Sequence, residues 1–205
     1  IINASAAMIY GLVGKLPVNE ATSNNPPSFW ATHKLFSEQY LEYFSKNHNI
    51  KTLSLRLSNV YGPINRIDIL NKMILNKIIY LALKNKKIYV FKNSHCLRDF
   101  IYIDDVIQAF LLACQVPNKY FDGRHFLIGS GEGKKIIDIW KQISLLIGNV
   151  KIEKNYNYNL QLAEKRNFIS DSSKFKKITL WKPKTNLATG LKKTLEFIEK
   201  NFNKL

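Results

Sequence analysis

Cysteine is nearly absent: Cys96 and Cys114 are the only two in 205 residues, and they make neither a C-x-x-C pair nor a spaced framework. A disulfide scaffold is therefore excluded, and a reducing cytoplasm is the expected compartment. No apolar run approaches the roughly 18 residues that a membrane span requires. The opening stretch IINASAAMIYG lacks both the charged start and the long apolar segment of a signal peptide. Methionine is missing from position 1, and the first one, Met8, falls inside what reads as a strand and the turn after it, so a fragment or trimmed chain is expected. Acidic residues are scarce, 15 against 31 basic ones, for a formal net charge of +16. Such a surplus can mark a nucleic-acid surface. Here arginine supplies only five of the 31 (Arg56, Arg66, Arg98, Arg124 and Arg166), and the densest lysine runs, such as Lys134/Lys135 and Lys192/Lys193, belong to different segments. Scattered lysines read as solvated helix faces in a Lys-, Asn- and Ile-rich composition; nucleic acid is not expected, whereas an acidic small molecule suits the surface.

What is present is ordinary globular material. At 46% hydrophobic and 12% aromatic residues, the chain is far from the composition of disorder. Its length suits one full core, or one domain and part of another. Strand and helix patterns alternate, which predicts an α/β architecture with a parallel sheet. Ile1 to Ala4 reads as the end of a buried strand, and a loop from Asn19 to Ser28 leads into a helix from Phe29 to Lys46, with Phe29, Leu35, Phe36, Tyr40, Leu41 and Phe44 at helical spacing. Thr52 to Val60 is the next predicted strand, closed by Gly62 and Pro63. Further on the pattern predicts a helix from Ile67 to Leu83, short strands at Lys87 to Phe91 and Asp99 to Ile103, and a helix from Val106 to Cys114 capped by Asp104 or Asp105. A strand from Arg124 to Ile128, a helix from Ile136 to Ile147, a polar stretch at 155–159 and a last helix from Leu187 to Phe202 complete the expectation.

Four segments, in order, resemble the extended short-chain dehydrogenase/reductase family, the nucleotide-sugar epimerases and dehydratases. SAAMIYG (Ser5 to Gly11) is similar to the family's strand end, in which Ser or Thr stands four residues before Tyr-Gly. SFWATHKLFSEQY (Ser28 to Tyr40) resembles its Tyr-x-x-x-Lys helix, LRLSNVYGP (Leu55 to Pro63) its Arg-x-x-Asn-x-Tyr-Gly-Pro turn, and RDFIYIDDV (Arg98 to Val106) its Arg-Asp-Phe segment. FLIGSGEG and RNFISDSSK are weaker echoes. The resemblance implies an α/β fold: the C-terminal part of a doubly wound Rossmann-type parallel sheet (residues 1–65) plus a small α/β substrate-binding lobe (66–205), with about 98–114 returning to the sheet. It also implies NAD as cofactor, a nucleotide-diphosphate sugar as substrate, and dimerisation through the Tyr-x-x-x-Lys helix, with Phe36, Tyr40 and Phe44 at the interface; their spacing equally fits a monomer core. In the family a Gly-rich turn cradles the cofactor's pyrophosphate. The cluster Gly129, Gly131 and Gly133 has the wrong spacing for that turn and reads as a tight strand-to-helix turn.

Carried over residue by residue, the resemblance places Lys34 at the family's lysine, Trp30 at its catalytic tyrosine and Ala6 at its catalytic serine. Residues i and i+4 share a helix face, so the family's ammonium can lower a phenol pKa from about 10 and let the phenolate take a sugar proton as hydride leaves. Indole is only a donor and a methyl group is neither donor nor acceptor, so catalysis is expected to be impaired. Ser5 and Tyr10 are minor rescue candidates, Tyr10 also as a pocket-lining substrate contact, and His33 reads as surface or packing. Trp30 on an apolar helix face also fits plain core packing. For substrate, Arg98 and Asn59 match the family's diphosphate contacts; Arg166 is a second phosphate contact or a surface salt bridge. Lys34 and Ser58 are the expected cofactor contacts, and no metal ligand is assigned. Arg56, in a buried strand, is expected to pair with a carboxylate, while Asp99, Asp104 and Asp105 read as caps and salt-bridge partners.

Overall fold

The computed structural model describes residues 1–64, 66–70, 73–85, 87–90, 95–148, 150–154 and 165–201. The expected polar stretch at 155–159, the ends placed at Phe91 and Phe202, and the middle of the helix predicted for Ile67 to Leu83 lie outside the described residues. Among these, three parallel strands form the first sheet in the order β1 (Ile2–Ala6), β2 (Thr52–Leu57), β6 (Asp122–Ile128), with Ala4 opposite Leu55 and Leu55 opposite Phe126. Parallel strands covered on both faces usually carry near-continuous apolar runs; TLSLRL is buried from Thr52 to Arg56 yet alternates leucine with Thr52, Ser54 and Arg56, so its buried polar face needs partners. The first strand differs from expectation: it runs on to Ala6, and only Ser5 and Ala6 are buried.

The predicted strand Thr52 to Val60 is two strands in two sheets. Ser58 is the crossing point; its amide still bonds the Ile128 carbonyl at 2.9 Å. The next residue already belongs to β3 (Asn59–Tyr61), which pairs in parallel with β5 (Leu97–Tyr102), itself antiparallel to β7 (Gly133–Lys135). A two-stranded parallel ribbon, β4 (Lys87–Val90) with β8 (Lys151–Lys154), completes the strands.

α1 (Phe29–His48) starts where the Ser28 hydroxyl accepts the Ala31 amide at 3.3 Å and stops at Asn49 in the left-handed region. Only Ala31 and Glu38 of its residues are buried. Phe36, Tyr40 and Phe44 therefore do not form a core within this chain. α2 (Ile67–Leu70) and α3 (Ile74–Asn85) replace the single helix predicted there. α4 (Ile103–Ala113) begins three residues earlier than expected, because Ile103 leaves the strand directly into the helix. Neither Asp104 nor Asp105 is its cap: the cap is Tyr102, without a side-chain bond, and Asp105 instead accepts the Lys184 and Thr185 amides at 2.8 and 3.0 Å. α5 (Ile136–Leu146), α6 (Ser173–Thr179) and α7 (Leu187–Asn201) follow.

Two principal cores result. Leu53, Leu55, Val106, Phe126, Phe175 and Trp181 pack around the first sheet, so residues after 100 and after 170 return to it. Tyr61, Ile79, Phe100, Trp140, Leu191 and Ile198 form the second. In α7, Gly190 lies against Tyr61, and a Cβ there would come 2.8 Å from the ring's Cζ. Gly190→Ala gains up to about 1 kcal/mol of helix propensity and loses roughly 1–3 kcal/mol by overpacking. Net destabilisation is expected, read as a lowered denaturation midpoint; an unchanged or raised midpoint would show that α7 does not pack this closely.

Candidate functional site

The site is built on a buried ion pair. Glu38, on the inner face of α1, accepts Arg56 of β2 in a fork, Nε at 3.0 and 3.1 Å and Nη2 at 2.6 Å, and also takes the Ser5 hydroxyl. Both side chains are almost fully inaccessible, 1% for Arg56 and 7% for Glu38. Arg56 also donates to Asn24 at 2.8 Å and lies 4.7 Å from the Tyr10 ring centre. Arg56 thus has the carboxylate partner its strand position called for. The pair fixes α1 on β1 and β2, and one turn upstream of Glu38 the Lys34 ammonium donates to the Ala4 carbonyl at 2.8 Å. A further turn back, the Trp30 ring centre lies 5.8 Å from that ammonium.

Trp30 is 55% exposed, so it is not core. Ala6 is buried at the strand end and presents a methyl group. The two substitute hydroxyls are committed elsewhere. Ser5 is buried and bonded to Glu38. Tyr10 is fully inaccessible against Phe168, Val18 and Leu127, and burial pushes its pKa up to about 12, partly offset by the neighbouring Arg56 guanidinium. The structure therefore places Tyr10 in a small core rather than on an open pocket wall. His33 stacks on Phe29, 4.3 Å between ring centres, at the surface.

The residues expected to contact substrate lie around Asp99, which is fully buried. Its carboxylate accepts the Ser130 amide at 2.8 Å and hydroxyl at 2.6 Å, the Gly131 amide at 3.1 Å, the Ser170 amide at 2.9 Å and the Ser170 hydroxyl. These partners are neutral, so Asp99 clasps two loops rather than serving as the expected cap or salt bridge. Its carbonyl takes the Asn59 side-chain amide at 2.9 Å. The loop of Gly129, Gly131 and Gly133 leads into β7 before α5, not directly into a helix. Its amides are spent on Ser172, Asp99 and Ser130, leaving no cradle for a phosphate. Gly129 is required there, since a Cβ would stand 2.7 Å from the Asp99 carboxylate.

Arg98 and Arg166 are both buried, at 8% and 3%. Arg98 donates to the Arg166 carbonyl and, at 3.1 Å, to that of Leu97. Among the described residues, Arg166 reaches only the Ala7 carbonyl at 3.4 Å, lies 5.0 Å from the Phe168 ring centre, and has a buried Nε without a partner. Burial, with the like charge of Arg98 beside it, brings its pKa down to about 10. A surface salt bridge is thus overturned for Arg166. Ser58 is likewise buried with an unpartnered hydroxyl. Sequence reasoning missed the Asp99 clasp, Ser130, Ser170 and Asn24; serines in Gly- and Asp-rich loops were the only signal.

The fold is that of a Rossmann-type α/β protein, with the chain crossing between sheets beside a cluster of binding groups. A profile of the NAD dependent epimerase/dehydratase family matches residues 1–129. The chain belongs to that family. It is 29% identical to UDP-glucose 4-epimerase from Thermotoga maritima, solved with UDP-glucose, with a TM-score of 0.86 over 98% of this chain and 63% of that one. UDP-glucuronic acid 4-epimerase from Bacillus cereus, solved with UDP-glucuronic acid and NAD, is 28% identical, with a TM-score of 0.86 over 97% and 61%. The dTDP-D-glucose 4,6-dehydratase of Mus musculus is 27% identical over 98% of this chain and 56% of its own length. The chain thus spans less than two thirds of each of these proteins.

Beside the ion pair, burial and the Arg56 charge push the His125 pKa down to about 4. A depressed base is neutral when folded and takes a proton near pH 6.5 when unfolded, so its stability is fully present above 6.5 and is lost as pH falls toward 4. Allowing for partial exposure, roughly 2–3 kcal/mol is at stake. His125→Gln should flatten the stability profile between pH 6.5 and 4 in denaturant titrations; an equally steep fall in the variant would assign the acid limb to other groups.

Proposed function

We propose that the chain is a nucleotide-sugar-binding homologue of the NAD-dependent epimerases and dehydratases, with its diphosphate-binding groups retained and its proton-transfer groups replaced. One observation carries this: Arg166 is buried beside Arg98, and among the described residues no carboxylate pairs with it. An uncompensated buried charge is costly, and a phosphate offsets the Arg166 guanidinium by forked hydrogen bonds. On this reading Arg98, Arg166 and Asn59 hold the diphosphate, residues 1–65 end the cofactor domain, and much of 66–205 is the substrate lobe.

For NAD, the residues present fit at the nicotinamide end, where the buried Ser58 hydroxyl has no partner and Lys34 stands at the strand end. When bound, NAD accepts and returns hydride. Lys34 orients; Ala6 and Trp30 hold no proton to exchange. A second reading, a non-catalytic sugar-nucleotide-binding module, is favoured by the commitment of Ser5 to Glu38 and the burial of Tyr10. Dimerisation and a cytoplasmic setting belong to the proposal too. Phe36, Gln39, Tyr40, Tyr43 and Phe44 line an exposed groove on α1 suited to a second copy, and among the described residues no helix is long and apolar enough to cross a membrane.

Calorimetry with UDP tests the binding half. Wild type should bind, and Arg166→Met should weaken binding at least tenfold, as expected for a lost charge-assisted contact; in the same preparations with NAD and UDP-glucose, Ala6→Ser/Trp30→Tyr should outpace wild type by up to about 10²–10⁴. Robust wild-type turnover would defeat the impairment, and binding without turnover in both would favour the module. For assembly, sedimentation should show a dimer that Tyr40→Glu dissociates; a wild-type monomer at all concentrations removes that part.

A further inference from the structure

Trp30 is the one tryptophan open to solvent: it is 55% exposed, against 2% for Trp140 and 3% for Trp181. An exposed indole needs an account, since the ring is large and apolar and its sequence neighbours are otherwise engaged. Phe29 pairs with His33. The groove of Phe36, Tyr40 and Tyr43 lies elsewhere on α1; at about 100° per residue, Trp30 points roughly a third of a turn away from it. Instead Trp30 shares its stripe with Lys34, whose ammonium is tied to the Ala4 carbonyl and stands 5.8 Å from the indole centre.

That strand end gathers further groups. Ala6 is opposite Leu57, so Ser58 follows immediately beyond it. The Arg166 guanidinium reaches the carbonyl of Ala7, the next residue after Ala6. An apolar ring and an ammonium therefore stand together at this edge of the sheet, with the buried Arg166 guanidinium behind them and the Ser58 hydroxyl turned inward against Gly129. A pyranose has matching chemistry. Its axial C–H face is slightly positive and suits the negative face of an aromatic ring, while its hydroxyl rim can meet the Lys34 ammonium.

We infer that Trp30 is a stacking platform for the hexose ring of a nucleotide sugar, replacing a proton-transfer group with a sugar-holding one. The inference rests on the nucleotide-sugar reading of the site and adds the residue by which the chain distinguishes a sugar nucleotide from the bare nucleotide. Lys34 and Trp30 act together here, the ammonium holding the indole in place by cation–π attraction.

Titration of the full chain with UDP and with UDP-glucose, following tryptophan emission and calorimetric affinity, tests it. UDP-glucose should change the emission and bind more tightly than UDP; UDP should bind with emission unchanged. Trp30→Phe should abolish the emission change while keeping the preference. Trp30→Ala should weaken UDP-glucose about two- to tenfold, the range of aromatic stacking, and leave UDP unaffected. Equal affinities in wild type, or an equal loss for both ligands in Trp30→Ala, would overturn the stacking role while leaving the diphosphate site standing. If UDP itself fails to bind, the site reading falls and this inference with it. An emission change that follows protein concentration without ligand would assign Trp30 to a contact between copies and overturn the inference.

Discussion

The Glu38–Arg56 pair is the constraint on which the rest of the site depends. A guanidinium in the middle of a parallel strand is affordable only with a carboxylate at hand, and Glu38 supplies it in a forked geometry while also taking the Ser5 hydroxyl. Removing either partner would leave a buried charge uncompensated, at a cost of roughly 3–5 kcal/mol. The pair ties α1 to β1 and β2 at one point, which sets the rotation of the helix and so decides what Trp30 and Lys34 can reach. Asn24, Tyr10 and His125 take their environments from the same charge.

Around that anchor the molecule treats its two halves of chemistry differently. Arg98 and Arg166 sit together in a buried place, and Asp99 holds the neighbouring loops with its carboxylate. On the proposed reading the proton-moving half is bare. Ala6 and Trp30 provide no titrating group, and the hydroxyls closest in sequence are bonded to Glu38 or sealed in a small core. General acid–base groups contribute about 10²–10⁴ in rate, which is why the proposed function is the holding of a sugar nucleotide rather than its turnover.

Much of the fold was legible because apolar periodicity reports the local element directly. β2, α1, β6 and α5 lie within a few residues of where the pattern puts them. The misses share a cause. Ser58 looks like any residue of a continuing strand, yet its amide closes one sheet as Asn59 opens another. Asp105 has the look of a helix cap and instead serves amides nearly eighty positions away. Strand continuation and carboxylate partners are settled by long-range pairing, on which local pattern is silent.

By itself the sequence determined the alternation of strand and helix and the family to which the motifs point, because side-chain chemistry and apolar periodicity are written in the chain. Only the tertiary structure decided that Trp30 is exposed rather than packed, that Arg166 is buried, with no carboxylate partner among the described residues, rather than bridged at the surface, and that Tyr10 is sealed away. Accessibility and charge compensation depend on which distant segments close over a residue, and those contacts form only when the whole chain packs.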